Sequence, residues 1–400
     1  MKPEQLMADS ILFLNTLGYG LTTVLLSAYL SGRGISLGNI GIIFSVGIII
    51  AGLFRVPIGI IVDCMGRKKF MILGAIGYPL FAVGLIFANT VPHFTFLNIF
   101  VEVFGAIFWT GFSAHFFDIM SKGKEGVALG VRNVIVYSAS IAAPILAGFI
   151  ATKFGFTSVF MIGAAISASA ILIALGIKDH NHKKLLCYNA MHAEYSNIFK
   201  IKGLPLIAAI IFVVDFVFVF WSIFMPIWLL QQGISLEAIG FILTANLIVG
   251  AILQIPLGKA IDKMPVRNIL IPGFLMFWLG GALFFVFKNY LAYMINRIIL
   301  GAGSDLAYWP AVGMLAKLTP KVNNGGVVAL IFGLSVALKG VGALISGMLT
   351  EAFGIPAVLT AISFISLGAA IAIVPIKLLR NKGTQFHKAH HHVGHMPRHH

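Results

Sequence analysis

Apolar residues run through this chain in long blocks, separated by short clusters of Gly, Pro and charged residues. Twelve blocks stand out, near 11–30, 38–62, 70–88, 94–117, 126–151, 156–177, 204–230, 236–261, 268–287, 289–316, 325–352 and 355–377. About 20 apolar residues rising 1.5 Å each cross the roughly 30 Å of bilayer hydrocarbon. Each block therefore reads as a membrane-spanning helix, with very tight turns between the ninth and tenth and between the eleventh and twelfth. The first follows a short polar start, Met1 to Ser10, with no small-residue cleavage pattern behind it. It is expected to be a retained helix and not a signal peptide. The pattern predicts an all-α integral membrane protein.

Composition agrees. Of 400 residues, 59% are hydrophobic and only 10% charged, against about 25% charged in soluble domains. The net charge of +15 points less to nucleic acid than to basic loops on one membrane side. Of 28 Lys and Arg, placing the N-terminus inside leaves three on the outer side (Arg33, Lys153, Lys288) and four within spans, and the other 21 fall inside. That asymmetry predicts a multi-pass protein of the cell membrane with both termini cytoplasmic. Cys64 and Cys187 lie in or beside loops of the same side and form no disulfide framework. Secreted, nucleic-acid-binding and disulfide-scaffold classes are excluded.

The chain is also duplicated. A shift of 199 aligns Gly34-Ile-Ser-Leu37 with Gly233-Ile-Ser-Leu236, and pairs Pro57 with Pro256, Gly59 with Gly258, Asp63 with Asp262 and Gly74 with Gly273. Downstream, Gly148 pairs with Gly347 and Phe154-Gly155 with Phe353-Gly354. Shared membrane composition explains apolar coincidences but not aligned Pro, Gly and Asp. The expected organisation is a six-helix half over 1–177, a cytoplasmic linker over 178–203, a second six-helix half over 204–378, and a His-rich cytoplasmic tail over 379–400. Parallel six-helix repeats suit a carrier that binds its solute at the midplane between halves.

Between spans 2 and 3 stands Gly59-Ile-Ile-Val-Asp63-Cys-Met-Gly66-Arg67-Lys68-Lys69, which recurs in degraded form as Gly258, Asp262 and Arg267, with Pro265 in place of Gly66. A glycine there permits close helix approach. Asp63, at a helix C-terminus, needs nearby donors, which a forked arginine or another helix N-terminus supplies. This is the loop signature G-x-x-x-D-x-x-G-R-[K/R], and the whole chain resembles the major facilitator superfamily, closest in pattern to its drug and metabolite:proton antiporters. The resemblance implies a fold of twelve helices in two pseudo-symmetric halves, and a motif that latches the halves on the cytoplasmic side. Span 5 adds a partial match to the antiporter pattern G-x8-G-x3-G-P-x2-G-G, through Gly130, Pro144 and Gly148, with alanine at three of five glycine positions. The family's helix-4 arginine motif is displaced to span 10, as Arg297-Ile-Ile-Leu-Gly301-Ala-Gly303, and span 4 offers Glu102 instead.

Seven ionisable residues fall well inside spans, away from their ends: Arg55, Glu102, Arg132, Asp215, Arg297, Asp305 and Lys339. Each is costly against hydrocarbon and is expected to face the interior or a wet cavity. Counting rise per residue puts Asp305 and Lys339 roughly at the midplane on spans 10 and 11, which reads as a pair. Asp215 has no evident partner at its depth, so desolvation disfavours its charge and makes it the first candidate for proton coupling. Glu102, with Arg297 as counter-ion, is the second, and Asp305 a third. Trp109, Tyr137, Trp221, Tyr308 and Trp309 are candidates to line a solute cavity.

Seven histidines sit in the tail, and no His/Cys spacing matches a closed zinc site, so no metal or cofactor is called for. The tail reads as disordered or as part of a tag. The sequence reading is a monomeric secondary transporter of a small organic solute, coupled to protons and exporting by exchange. Import or uniport of a metabolite or sugar is the alternative. A channel gives no reason for duplicated halves, and a membrane enzyme would need a nucleophile–base or metal constellation that no span carries. Few polar residues on the candidate cavity helices favour a lipophilic or amphipathic solute.

Overall fold

The computed structural model describes residues 3–65, 67–119, 125–177, 201, 203–318, 324–376 and 379. Gly66, most of the linker 178–203 and nearly all of the tail lie outside them, as does the side chain of Asp63. Twelve α-helices follow in order: α1 (Pro3–Thr23), α2 (Leu26–Gly32), α3 (Leu37–Met65), α4 (Arg67–Phe87), α5 (Val91–Ile119), α6 (Glu125–Leu175), α7 (Leu204–Gln231), α8 (Leu236–Lys263), α9 (Arg267–Leu283), α10 (Tyr290–Leu318), α11 (Asn324–Phe353) and α12 (Ile355–Ile373).

Two expected boundaries change. The first span is broken after Thr23 into α1 and α2, where the hydroxyls of Thr22 and Thr23 both donate to the Tyr19 carbonyl at 2.8 Å. Side chains that compete for a helix carbonyl bend the helix. Spans 5 and 6 join in α6, which turns back at Gly155 (φ 78°, ψ 170°). Ten stretches among the described residues are long and apolar enough to cross a membrane; one, Gly130–Leu175, is 46 residues long. At 1.5 Å per residue it is about twice a bilayer crossing, so it serves as two passages. With the shorter apolar α9, the twelve expected passages are all present.

The duplication is visible in the backbone. Gly34 (φ 77°) and Gly233 (φ 76°) occupy the left-handed region that only glycine enters freely, and so do Gly155 and Gly354 (φ 81°). Each pair is related by the shift of 199 and ends a span on the same side, here termed the turn face. The α3–α4 and α8–α9 junctions lie on the opposite, motif face. Packing repeats too: α3 on α5 is matched by α8 on α10, α4 on α5 by α9 on α10, and α4 on the second arm of α6 by α9 on α12.

Two seams join the halves, α3 on α11 and α6 on α8. On the first, a Cβ added to Gly41 would lie 2.6 Å from the Gly347 Cα, and one on Gly52 2.7 Å from the Gly333 carbonyl oxygen. On the second, Gly148 abuts the Leu236 carbonyl and Gly240 abuts that of Pro144. Small residues let helix backbones touch where lipid offers no hydrophobic drive to hold them together. Most of these crossings lie towards the turn face, where the Glu351 carboxylate also accepts from the Gly38 N–H.

Candidate functional site

Where the halves part, they enclose connected cavities of about 250, 320 and 600 Å³ that all include Tyr19 and Lys339. Small-molecule sites commonly run from about 300 to 1,000 Å³. Glu102 reaches the cavity from α5 and accepts a hydrogen bond from the Tyr19 hydroxyl of α1 at 3.3 Å. Tyr19 in turn leans on Tyr78 of α4, ring centroids 5.2 Å apart, and Tyr78 meets Phe108 edge-on. Aromatic packing thus fixes the group that holds the carboxylate. Arg55 and Lys339 line the same space and are the cations that Glu102 interacts with.

The charges within the spans pair differently from the pairing that depth suggests. Asp305 and Lys339 are not partners. α10 packs on α7, α8 and α9, whereas α11 packs on α3 and α7, so neighbours in sequence face different ways. Lys339 turns to the Glu102 cavity. Asp305 instead bonds with Trp309 and interacts with Arg297, which is therefore not the counter-ion of Glu102. Asp215 does have a partner, since the Ser335 hydroxyl of α11 donates to its Oδ2. Arg297 is only 5% exposed and lines the 320 Å³ cavity, with Nε and Nη1 unbonded.

The aromatics divide. Trp109 lines two of the cavities. Tyr137 sits at the α6–α8 seam, where it accepts a 2.6 Å hydrogen bond from Gln254 Nε2. Tyr308 lies within electrostatic reach of Arg55 and Asp215, and Trp309, 37% exposed, stands edge-on to it. Trp221 is a correction: it is fully buried against Phe284 and Phe285 inside the second half. Its large ring fills a core position that hydropathy alone does not separate from a cavity wall. Tyr19, Tyr78, Phe218 and Ser335 were missed because uncharged residues inside apolar blocks give no signal. Asp9 was missed because it stood in the polar start, yet it is 4% exposed with both carboxylate oxygens unbonded.

On the motif face, cations cap helix ends. Arg67 Nη1 donates to the Ala114 carbonyl of α5 at 3.1 Å, and Lys68 Nζ to the Leu175 carbonyl that ends α6, also at 3.1 Å. Arg267 Nη1 donates to the Val374 carbonyl after α12 at 2.9 Å. Lys68–Leu175 and Arg267–Val374 are the same bond moved by 199 positions, so Arg267 stands in for Lys68. Asp262 forms an exposed ion pair with Lys317 at 3.0 Å. Positive charge at a helix C-terminus opposes the dipole and satisfies orphan carbonyls. All these bonds stay within one half. Among the described residues, Gly59, Gly258 and Gly130 have nothing within 4 Å of an added Cβ, so no close approach is seen at the motif glycines; Pro144 and Gly148 do sit at a tight crossing.

The sequence pattern of the Major Facilitator Superfamily matches residues 10–236 and again 207–393. An uncharacterized MFS-type transporter of Methanocaldococcus jannaschii is 23% identical over 350 residues, covering 86% of this chain and 90% of that protein. A multi-drug resistance efflux pump homolog of Lactococcus lactis is 26% identical over 325 residues, 78% of this chain and 79% of its own length. The crystal structure of the nucleoside transporter NupG superposes with a TM-score of 0.77 at 14% identity, covering 93% of this chain and 98% of that one. With helices, repeat, seams and family pattern in agreement over nearly all its length, the chain belongs to the major facilitator superfamily of membrane transporters.

Proposed function

We propose that this transporter exports a small organic solute by alternating access in exchange for protons, with Glu102 as the first proton site. The observation that carries this reading is the Glu102 carboxylate in a solute-sized cavity between halves whose glycine crossings cluster towards one face. Proton exchange needs a carboxyl that is charged in one state and neutral in the other. Glu102 has a single described hydrogen bond, to a tyrosine hydroxyl, and two cations to balance it when ionised. Asp215, tied to Ser335, comes second, and Asp305 third. The efflux name of the Lactococcus relative supports the direction.

In this reading residues 1–177 and 204–378 rock against each other as a monomer, 178–203 links them, and both termini are cytoplasmic. The turn face is then external and sealed, so the cavity faces inward. The motif residues cap helices at the inner face and brace each half as a rigid body. Proteoliposomes with an imposed pH gradient test the coupling. Glu102→Gln should abolish gradient-driven accumulation while leaving solute exchange measurable; accumulation that persists in Glu102→Gln and is lost in Asp215→Asn would move the proton site to α7.

A further inference from the structure

We infer that the solute is an amphipathic organic anion, its acidic head held between Arg297 and Lys339 beside Phe218. Three observations converge. Arg297 is nine-tenths buried, lines the 320 Å³ cavity, and leaves two of its nitrogens without a hydrogen-bond partner. Lys339 lines that cavity beside the same ring: Arg297 Cζ lies 5.8 Å and Lys339 Nζ 5.9 Å from the Phe218 centroid. Neither cation has a carboxylate within ion-pair distance among the described residues.

Two cations beside one phenyl ring repel each other, and a buried, incompletely bonded guanidinium is expensive in a membrane. The ring face recovers part of that cost through cation–π attraction. An incoming carboxylate, sulfonate or phosphate recovers more, because the arginine fork matches two acid oxygens and the lysine adds a point charge. Two carboxylates stand near these cations, Glu102 by Lys339 and Asp305 by Arg297, and neither closes to ion-pair distance. Glu102 is bonded to Tyr19, and Asp305 to Trp309. The rest of the wall sets Val24, Phe44, Ile48 and Leu247 beside the polar Ser27 and Asn246, which suits a body with apolar and polar parts. The cavity is thus more charged than the sequence suggested, while the preference for an amphipath stands.

This inference takes from the transport reading only that the cavity is the solute site, and its test is equilibrium binding, independent of coupling. Purified full-length protein in neutral detergent is titrated with four probes: naphthalene-2-sulfonate, naphthalene-2-methanol, naphthalene-2-methylammonium and inorganic sulfate. The sulfonate should bind at least about tenfold more tightly than each of the others, the worth of one charge-assisted bond. Arg297→Gln and Lys339→Gln should each erase that preference without changing the alcohol. Arg297→Lys keeps the charge and loses the fork, so it tests the site if the glutamine variant does not fold; it should weaken the sulfonate and leave the alcohol unchanged. Equal affinity for sulfonate and alcohol, or for sulfonate and sulfate, overturns the inference, as does a sulfonate preference that survives both Arg297→Lys and Lys339→Gln. Proton-driven accumulation that persists in Glu102→Gln with anion selectivity intact would count against Glu102 as the proton site and not against this site.

Discussion

Gly41→Ala puts the smallest possible wedge into the α3–α11 seam. The new methyl would lie 2.6 Å from the Gly347 Cα and 2.8 Å from the Ala343 carbonyl oxygen. Carbon atoms pack best about 3.5–4.0 Å apart, so the overlap is about 1 Å. Both obstacles are backbone atoms of one helix, and no rotamer change relieves them. The seam must open, at a cost typical of overpacking, about 1–3 kcal/mol. In an alternating-access protein that cost falls on the conformer with this seam closed, and the population should move about 5- to 150-fold towards opening at the turn face. Spin labels at Lys153→Cys and Lys288→Cys, two exposed positions on that face in opposite halves, with Cys64 and Cys187 replaced by serine, read the change as a longer distance in double electron–electron resonance. The control is Gly59→Ala, where an added methyl has nothing within 4 Å among the described residues; it should leave both the distance and the melting temperature unchanged or slightly raise the latter. An unmoved distance distribution in Gly41→Ala at undiminished thermal stability would refute the reasoning, since the overlap would then have been absorbed without opening the seam.

Lys68→Met and Arg267→Met each delete the same helix-end bond in one repeat. Each should cost about 0.5–2 kcal/mol, and urea or thermal unfolding in detergent should show similar losses; a loss confined to one variant would argue that the repeat is not mechanically equivalent. Ser335→Ala removes the hydroxyl that bonds Asp215. It should lower stability by about 1–3 kcal/mol and leave proton-driven accumulation intact, whereas loss of accumulation at unchanged stability would restore Asp215 as the coupling group. Gln254→Leu breaks the bond to Tyr137 on the α6–α8 seam and should speed solute exchange by weakening one closed state; slower exchange would contradict that assignment. Removal of the residues after Arg380, which lie outside the described residues, should leave transport unchanged in metal-free buffer, measured as uptake per folded protein.

Hydropathy alone determined the membrane class, because a bilayer demands about 20 apolar residues per crossing regardless of what they pack against. The shift of 199 determined the repeat, down to the positions that need glycine: Gly34, Gly155, Gly233 and Gly354 are fixed by local backbone geometry that no neighbour supplies. Helix breaks were less legible, since the bend at Thr22 and Thr23 arises from hydroxyls competing for one carbonyl. Rise per residue places a charge along its helix but not around it. For that reason Lys339 was assigned to Asp305 instead of the Glu102 cavity, and Trp221 to a cavity instead of a core. Only tertiary structure decides which way a side chain faces, because the facing helix lies several spans away along the chain. Tyr19 beside Glu102, Ser335 beside Asp215 and Phe218 beside two cations are contacts across 83 or more positions for the first two pairs. Nothing local encodes them: each joins helices of one half that are not neighbours in sequence, and the seams that close the two halves around the cavity depend on glycines about 300 residues apart, as Gly41 and Gly347 are.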